Sequence, residues 1–296
     1  MKRTGFISIV GRPNVGKSTL LNSILGEKIA IVSNKPQTTR NRIAGIETRG
    51  EDQFVFLDTP GIFKPQNSLG DFMVKTANST MQEGDMVILV ADVGFRPGDV
   101  EEGIIAYLKK SGTPAILALN KVDLYRREQI AETIAAYAAI HSFEAVVPIS
   151  AKKGKYVNEV LDECSKLLRE GDWFYDEDMI TDQPQRQMVA EIIREKILRT
   201  LDKEIPHGVA IVVEEYRDEG SIVRIRAEIF CEKASHKGIL VGKNGETLKR
   251  IGSYAREDME KLLDAQVYLN LWVKVKENWR ESARTVENFG YRNDNE

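Results

Sequence analysis

Through the first 170 residues, short apolar runs alternate with amphipathic stretches of helical length. Residues 6–10, 54–57, 86–91, 115–119 and 145–149 are nearly continuous in apolar character, the pattern of strands buried on both faces. Helices are expected to begin near Lys17, Ser68, Gly98, Arg127 and Lys155. This rhythm predicts an α/β domain, a mostly parallel sheet with helices on both faces. Residues 42–49 and 53–58 flank a tight Gly50-Glu51-Asp52 turn, so they are expected to pair antiparallel and place one reversed strand at the sheet edge. The pattern breaks at residues 172–185, where Asp172, Asp176, Glu177, Asp178 and Asp182 mix with Trp173, Phe174 and Tyr175; this is read as an acidic linker. Its aromatic residues allow it to lie against a domain surface as well as to form a plain loop. Beyond it, apolar positions at Val189, Ile192, Ile193, Ile197 and Leu201 keep helical spacing, with Lys196 contributing its stem. Residues 209–216 and 222–230 form a hairpin signature, 245–263 a helix and 266–275 a last strand, giving an α-β-β-α-α-β order. The expected domains are 1–171 and 186–296.

Composition narrows the class. The 296 residues are 42% hydrophobic and 29% charged, so the chain should fold, and it is long enough for two cores. No apolar run reaches the length of a membrane span, and the N-terminus is too short for a signal peptide. With only Cys164 and Cys231, neither a disulfide framework nor a cysteine metal cluster is available, and reducing cytosol is the expected compartment. Net charge of -3 carries no global signal for nucleic acid, so any such surface must be a local patch. His141, His207 and His236 show neither ligand nor triad spacing.

Gly11-Arg12-Pro13-Asn14-Val15-Gly16-Lys17-Ser18, followed by Thr19, fits the G-x-x-x-x-G-K-[ST] pattern, between a strand and a helix as that pattern requires. Its amides are expected to cradle phosphates, Lys17 to reach the β and γ phosphates, and Ser18 to ligate Mg²⁺. At the end of the next apolar strand, Asp58-Thr59-Pro60-Gly61 supplies an aspartate to hold a metal-bound water and a glycine amide to sense the γ-phosphate. Asn120-Lys121-Val122-Asp123 offers a carboxylate to the paired donors of guanine, with Ser150-Ala151-Lys152 completing the base pocket. GTP and GDP are the expected ligands.

These segments together resemble the GTPase branch of the P-loop proteins. The stretch from Lys35 to Arg40, with Thr38 and Thr39, is similar to the switch of the Era and related translation-associated GTPases. By that resemblance Thr39 is the expected switch ligand to Mg²⁺, with Thr38 in reserve, and Lys17 and Thr39 carry the catalytic roles. Ras-like enzymes place a water-orienting Gln directly after the D-x-x-G glycine, but here that residue is Ile62, so slow turnover is expected.

In the second half, Gly242-Lys243-Asn244-Gly245 follows an apolar run and precedes an amphipathic helix, the arrangement of a KH domain. Lys233, Lys237, Lys243, Lys249 and Arg250 outnumber Glu246, and the expected RNA contacts are Lys237, Gly242, Lys243, Asn244, Gly245, Lys249 and Arg250. The element order resembles the type II form. A GTPase joined to a type II KH domain resembles the Era family over nearly the whole chain. The resemblance implies binding near the 3′ end of 16S ribosomal RNA, action in assembly of the 30S subunit, a monomer, and a cytoplasmic protein in peripheral contact with the inner face of the cell membrane. The residues alone lead only to a guanine-nucleotide switch with an RNA-binding module. A GTP-gated scaffold whose second domain docks protein is the alternative; a GTPase with added metabolic chemistry lacks a supporting Cys or His constellation.

Overall fold

A computed structural model describes residues 1–33, 35, 37–202 and 205–292. Pro36 of the expected switch stretch, and residues 203–204 and 293–296 of the expected second domain, lie outside the described residues. The chain divides into two compact units, Met1–Pro65 with Met73–Asp182 and Gln66–Phe72 with Gln183–Glu296.

The first unit is built on strands β1 (Arg3–Val10), β2 (Ile43–Arg49), β3 (Asp52–Asp58), β4 (Met86–Asp92), β5 (Ala115–Asn120) and β6 (Ala145–Pro148). They lie in the order β2-β3-β1-β4-β5-β6. All neighbours are parallel except β2, which runs antiparallel to β3 as the tight turn at Gly50 predicts. Helices α1 (Lys17–Leu25), α2 (Ser68–Glu83), α3 (Asp99–Ser111), α4 (Arg127–Ala138) and α5 (Val157–Ser165) accompany the sheet, and four of the five expected starts fall within one residue of these bounds. β3 and β4 are buried at every position, which is why residues 54–57 and 86–91 run apolar without alternation. A two-residue strand β7 (Arg169–Glu170), invisible to periodicity, pairs antiparallel with Arg3 and Thr4 of β1.

The stretch expected to be a linker is largely bound to this unit. The fully buried Gln53 carboxamide accepts from the amides of Phe174 and Tyr175 and donates to the Tyr175 carbonyl. Phe174 packs on Phe6 with ring centroids 4.7 Å apart. The Ile46 amide donates to the Ile180 carbonyl, and Thr181 Oγ1 donates to Ala44 O, so residues 180–181 cover the outer edge of β2. An exposed strand edge invites pairing with other chains, and this strap closes it.

The second unit orders as α6 (Gln185–Thr200), β8 (Ala210–Asp218), β9 (Ile222–Cys231), α7 (Ala234–Val241), α8 (Glu246–Leu263) and β10 (Gln266–Val275), followed by α9 (Ala283–Asn288). Its sheet runs β10-β9-β8, with β10 parallel and β8 antiparallel to β9. Alternation along β9 is strict: Val223, Ile225, Ala227 and Ile229 enter a core with Val189, Ile193, Ile197 of α6 and Ile251, Ala255, Met259 of α8. Lys196 does more than lend its stem, since its ammonium is buried between Glu195 and Asp258 of α8.

Candidate functional site

The glycine-rich loop, Asp58–Gly61, Asn120–Asp123 and Ser150–Lys152 each lie at the C-terminal end of a first-unit strand, and the switch stretch leads into β2, which runs antiparallel to β3 and so begins at that same end. Between β1 and α1, Gly16 holds φ at +102°, and a Cβ there would lie 2.3 Å from Asn120 Nδ2. The position therefore demands glycine twice over, for backbone conformation and for close approach. No side chain caps α1, leaving its first amides for an anion. The Lys17 ammonium, buried, donates to the carbonyls of Gly11 (3.2 Å) and Arg12 (2.9 Å). A cleft is lined by Pro13, Asn14, Gly16, Thr19, the switch residues Thr38 and Thr39, and Gly61.

Three oxygen-bearing side chains converge at its floor. Ser18 Oγ donates to Asp58 Oδ2 at 2.6 Å and lies 2.7 Å from Thr39 Oγ1. Asp58 is fully buried, and its Oδ1 has no hydrogen-bond partner. Two hydroxyls beside an ionisable carboxylate with a free buried oxygen suit a hard divalent cation such as Mg²⁺. Thr38 instead donates to the Lys35 carbonyl at 2.7 Å, so the structure brings Thr39, not Thr38, to Ser18. Burial raises the Asp58 carboxyl to about 6 against the opposing pull of Lys17 and Ser18, and burial lowers the Lys17 ammonium to about 8.

The base end is braced from one residue. Asn120 Nδ2 donates to the Val15 carbonyl (2.8 Å), and its Oδ1 accepts from the amides of Lys121 (2.8 Å) and Ala151 (3.0 Å), tying the phosphate loop to both base-pocket segments. Lys121 is ion-paired to Asp92 at 2.6 Å, and the Val122 amide donates to Ile149 O. Asp123 accepts from Ser150 Oγ at 2.7 Å and pairs with Lys153 at 3.2 Å; the Ser150 bond holds its carboxyl below the usual range. Lys153 belongs to no motif, and its only signal in the sequence is its place beside Ser150-Ala151-Lys152; Lys152 itself is exposed.

Two other side chains turn away from the phosphate loop. Arg12 forms a bidentate pair with Glu101 of α3, 2.6 Å at its Nε, which ties its guanidinium to that helix. Ile62 packs against the core cluster beneath β4 and β5, and its amide donates to Gly11 O at 3.2 Å. A Cβ on Gly61 would meet Pro13 N at 2.6 Å, so Thr59-Pro60-Gly61 lies directly on the loop; Thr59 Oγ1 is held by the Ile9 carbonyl.

In the second unit, the turn between α7 and α8 uses positive φ at Gly242, Asn244 and Gly245. At Gly242 a Cβ would also lie 2.2 Å from Thr247 Oγ1, so this glycine is needed for packing against α8, whereas Gly245 has open space. Lys237, Lys243, Asn244 and Lys249 are exposed around the turn. A groove of about 440 Å³ lies between α8 and the free edge of β10, lined by Gly245, Lys249, Gly252, Arg256 and Tyr268. Arg250, expected to join these contacts, lies in a different cleft with Tyr254, Arg199 and Lys196, because one helical step turns it about 100° from Lys249. Arg256 and Tyr268 were not read from sequence. Arg256 was signalled only by its seven-residue spacing from Lys249, and Tyr268 by nothing before strand pairing was known.

A family described as 50S ribosome-binding GTPase matches residues 6–121, and the KH-domain family matches residues 204–280. The chain is 48% identical to the GTPase Era of Ruminiclostridium cellulolyticum over 98% of each protein. It is 50% identical to the GTPase Era of Clostridioides difficile, over 98% of this chain and 99% of that one. Among solved structures, Era in complex with MgGDPNP and nucleotides 1506–1542 of 16S ribosomal RNA superposes with a TM-score of 0.95 at 37% identity, covering 99% of this chain and 100% of the other. An Aquifex aeolicus Era variant bound to GDP·AlF₄⁻ gives the same TM-score at 38% identity, covering 98% and 100%.

Proposed function

The chain belongs to the Era family of GTPases, and from that premise we propose that it binds and hydrolyses Mg²⁺·GTP in the first unit and uses its KH unit to hold the 3′ region of 16S ribosomal RNA during 30S assembly. The observation that carries the nucleotide half is the convergence of Ser18, Thr39 and Asp58, with one buried carboxylate oxygen unsatisfied, at the uncapped start of α1. Ser18 and Thr39 would hold the ion directly and Asp58 its water, and the bound ion would neutralise charge between the β and γ phosphates. Lys17 releases its two loop carbonyls to reach those phosphates, the loop amides and Gly61 orient the terminal phosphate, and Asp123 pairs with the guanine donors while Ser150 keeps it aimed. Ile62 has no atom with which to order the attacking water.

The RNA half rests on the groove beside Gly245 and Lys249 and on the relatives matched across both units. The first-unit family is described by the 50S subunit, but the neighbour matched over 99% of this chain carries 16S RNA, so the small subunit is the better reading. The family resemblance supports a cytoplasmic monomer in peripheral contact with the inner face of the membrane. Among the described residues no helix is long and apolar enough to cross one. Competition binding tests the proposal: GTP but not ATP should displace labelled GDP, and an RNA carrying the 16S 3′ sequence should be retained over a 23S fragment. Equal retention of both RNAs would overturn the small-subunit assignment.

A further inference from the structure

Helices cover one face of the second sheet, and the other carries a feature that its folding does not require. Along β10 the outward positions include Tyr268, Asn270, Trp272 and Lys274, and the inward Val267, Leu269, Leu271 and Val273 belong to the core. Tyr268 is 56% exposed and Trp272 58%, although each is among the largest apolar surfaces a strand can bury. The register sets Tyr268 beside Arg224 and Asn270 beside Arg226. The Arg224 guanidinium stands over the Tyr268 ring, 5.5 Å from its centroid. The far end of this face is closed by the C-terminal tail, where Phe289 packs on Phe230 at 4.5 Å; the end bearing Tyr268 and Trp272 is open.

We propose that this open face is a second single-stranded RNA surface, a stacking platform that receives the strand as it leaves the groove beside the G-x-x-G turn. The inference rests on the RNA reading above and extends it. Tyr268 supplies continuity, because it lines the groove and also stands on the outer face. Tyr268 and Trp272 are separated by four residues of one strand, roughly 13 Å, room for a base on each ring. The cations are paired with carboxylates, Arg224 with the exposed Glu219 at 3.0 Å, Arg226 with the half-buried Glu215 at 4.0 Å, and Lys274 with the half-buried Glu228 at 2.5 Å. The exposed Arg224–Glu219 pair contributes about 0–1 kcal/mol, so a phosphate can replace that carboxylate at little cost. A protein partner fits less well: docking cores are depleted in charge, whereas here charge flanks each ring, Arg224 at Tyr268 and the Lys274–Glu228 ion pair beside Trp272.

The test uses the full chain and RNAs of 4, 8 and 12 nucleotides from the 16S 3′ sequence, followed by fluorescence anisotropy; the shortest is about the span a KH loop clamps. Wild-type affinity should rise with length. Trp272→Ala should lose about tenfold on the longest RNA and leave the tetranucleotide unchanged, while Trp272→Phe should keep most of the affinity. Arg226→Gln should reduce the salt slope by about 0.7 on the longest RNA only. Wild-type binding that increases with length but is the same in Trp272→Ala would overturn this inference and leave the groove reading intact. So would a Trp272→Ala effect confined to self-association in sedimentation, which would make the face a protein contact. A wild-type chain that binds none of the RNAs would overturn the RNA reading itself.

Discussion

At the scale of single residues, the nucleotide site places an acid and a base whose burial works against their charges. Asp58 stands above the ordinary carboxylate range and Lys17 below the ordinary ammonium range, at about 6 and about 8. Below pH 6 the free protein must release a proton from Asp58 before that group can serve a cation, and above pH 8 Lys17 has lost the charge that meets phosphate. Affinity for Mg²⁺·GTP should be level from about pH 6 to 8 and fall by about tenfold per pH unit toward acid. Calorimetry at pH 5.5 in buffers of differing ionisation enthalpy should show proton release on binding. The folded Asp58 value lies above the unfolded one, so the ligand-free protein should lose stability as pH rises from about 4 to 6. Lowered Lys17 should return stability as pH rises from about 8 to 10.5. Asp58→Asn should flatten the first of these slopes, and an unchanged slope would show that Asp58 is not the titrating group. At the base end, Asp123→Asn removes the acceptor for the guanine donors and should shift preference from guanine toward xanthine nucleotides, read by competition against labelled GDP. Retained guanine preference would place specificity elsewhere.

At the scale of elements, the strap from 173 to 181 decides how the reversed edge strand β2 is finished. At Phe174 and Tyr175 its backbone is held by one side chain, Gln53, which makes three hydrogen bonds there. Gln53→Ala would leave those backbone groups without partners in a partly buried setting, at a cost of about 1–3 kcal/mol. Limited proteolysis should then cut within 172–182 several-fold faster than in the wild type. Equal cutting rates would mean that the Phe174 contact with Phe6 and the Ile180 pairing with Ile46 hold the strap alone. β2 begins directly after the switch stretch, so the same strap borders the strand that follows Thr39.

For the molecule as a whole, the consequential residue is Ile62, half-buried against the core and without a polar side-chain atom. The positioning groups remain, so the isolated protein should hydrolyse GTP slowly, in roughly the unassisted range of 10⁻⁴ to 10⁻² per second. A switch and an RNA reader on one chain become coupled if RNA distinguishes the two switch states, and linkage then makes the coupling reciprocal. Cognate RNA is expected to raise the single-turnover rate. A bound RNA that leaves the rate and the GTP and GDP affinities unchanged would make the KH unit a passive tether.

The glycine-rich loop, Asp58-Thr59-Pro60-Gly61, Asn120 to Asp123 and Ser150 to Lys152 were legible in the chain because each is a short backbone device at the end of an apolar strand, and its chemistry is set by neighbours in sequence. The same holds for the element order of both units, written in apolar runs and helical spacing. What periodicity cannot carry is which surfaces meet. Arg250 sits one helical step off the groove, while Arg12 meets Glu101 of α3, Lys196 becomes a buried ion pair and the expected linker becomes the cover of β2, the last three through contacts between residues distant in sequence. Lys153 beside Asp123, and Tyr268 joining the groove to the open face, likewise exist as features only once the strands are in register, because register decides which side chains share a face.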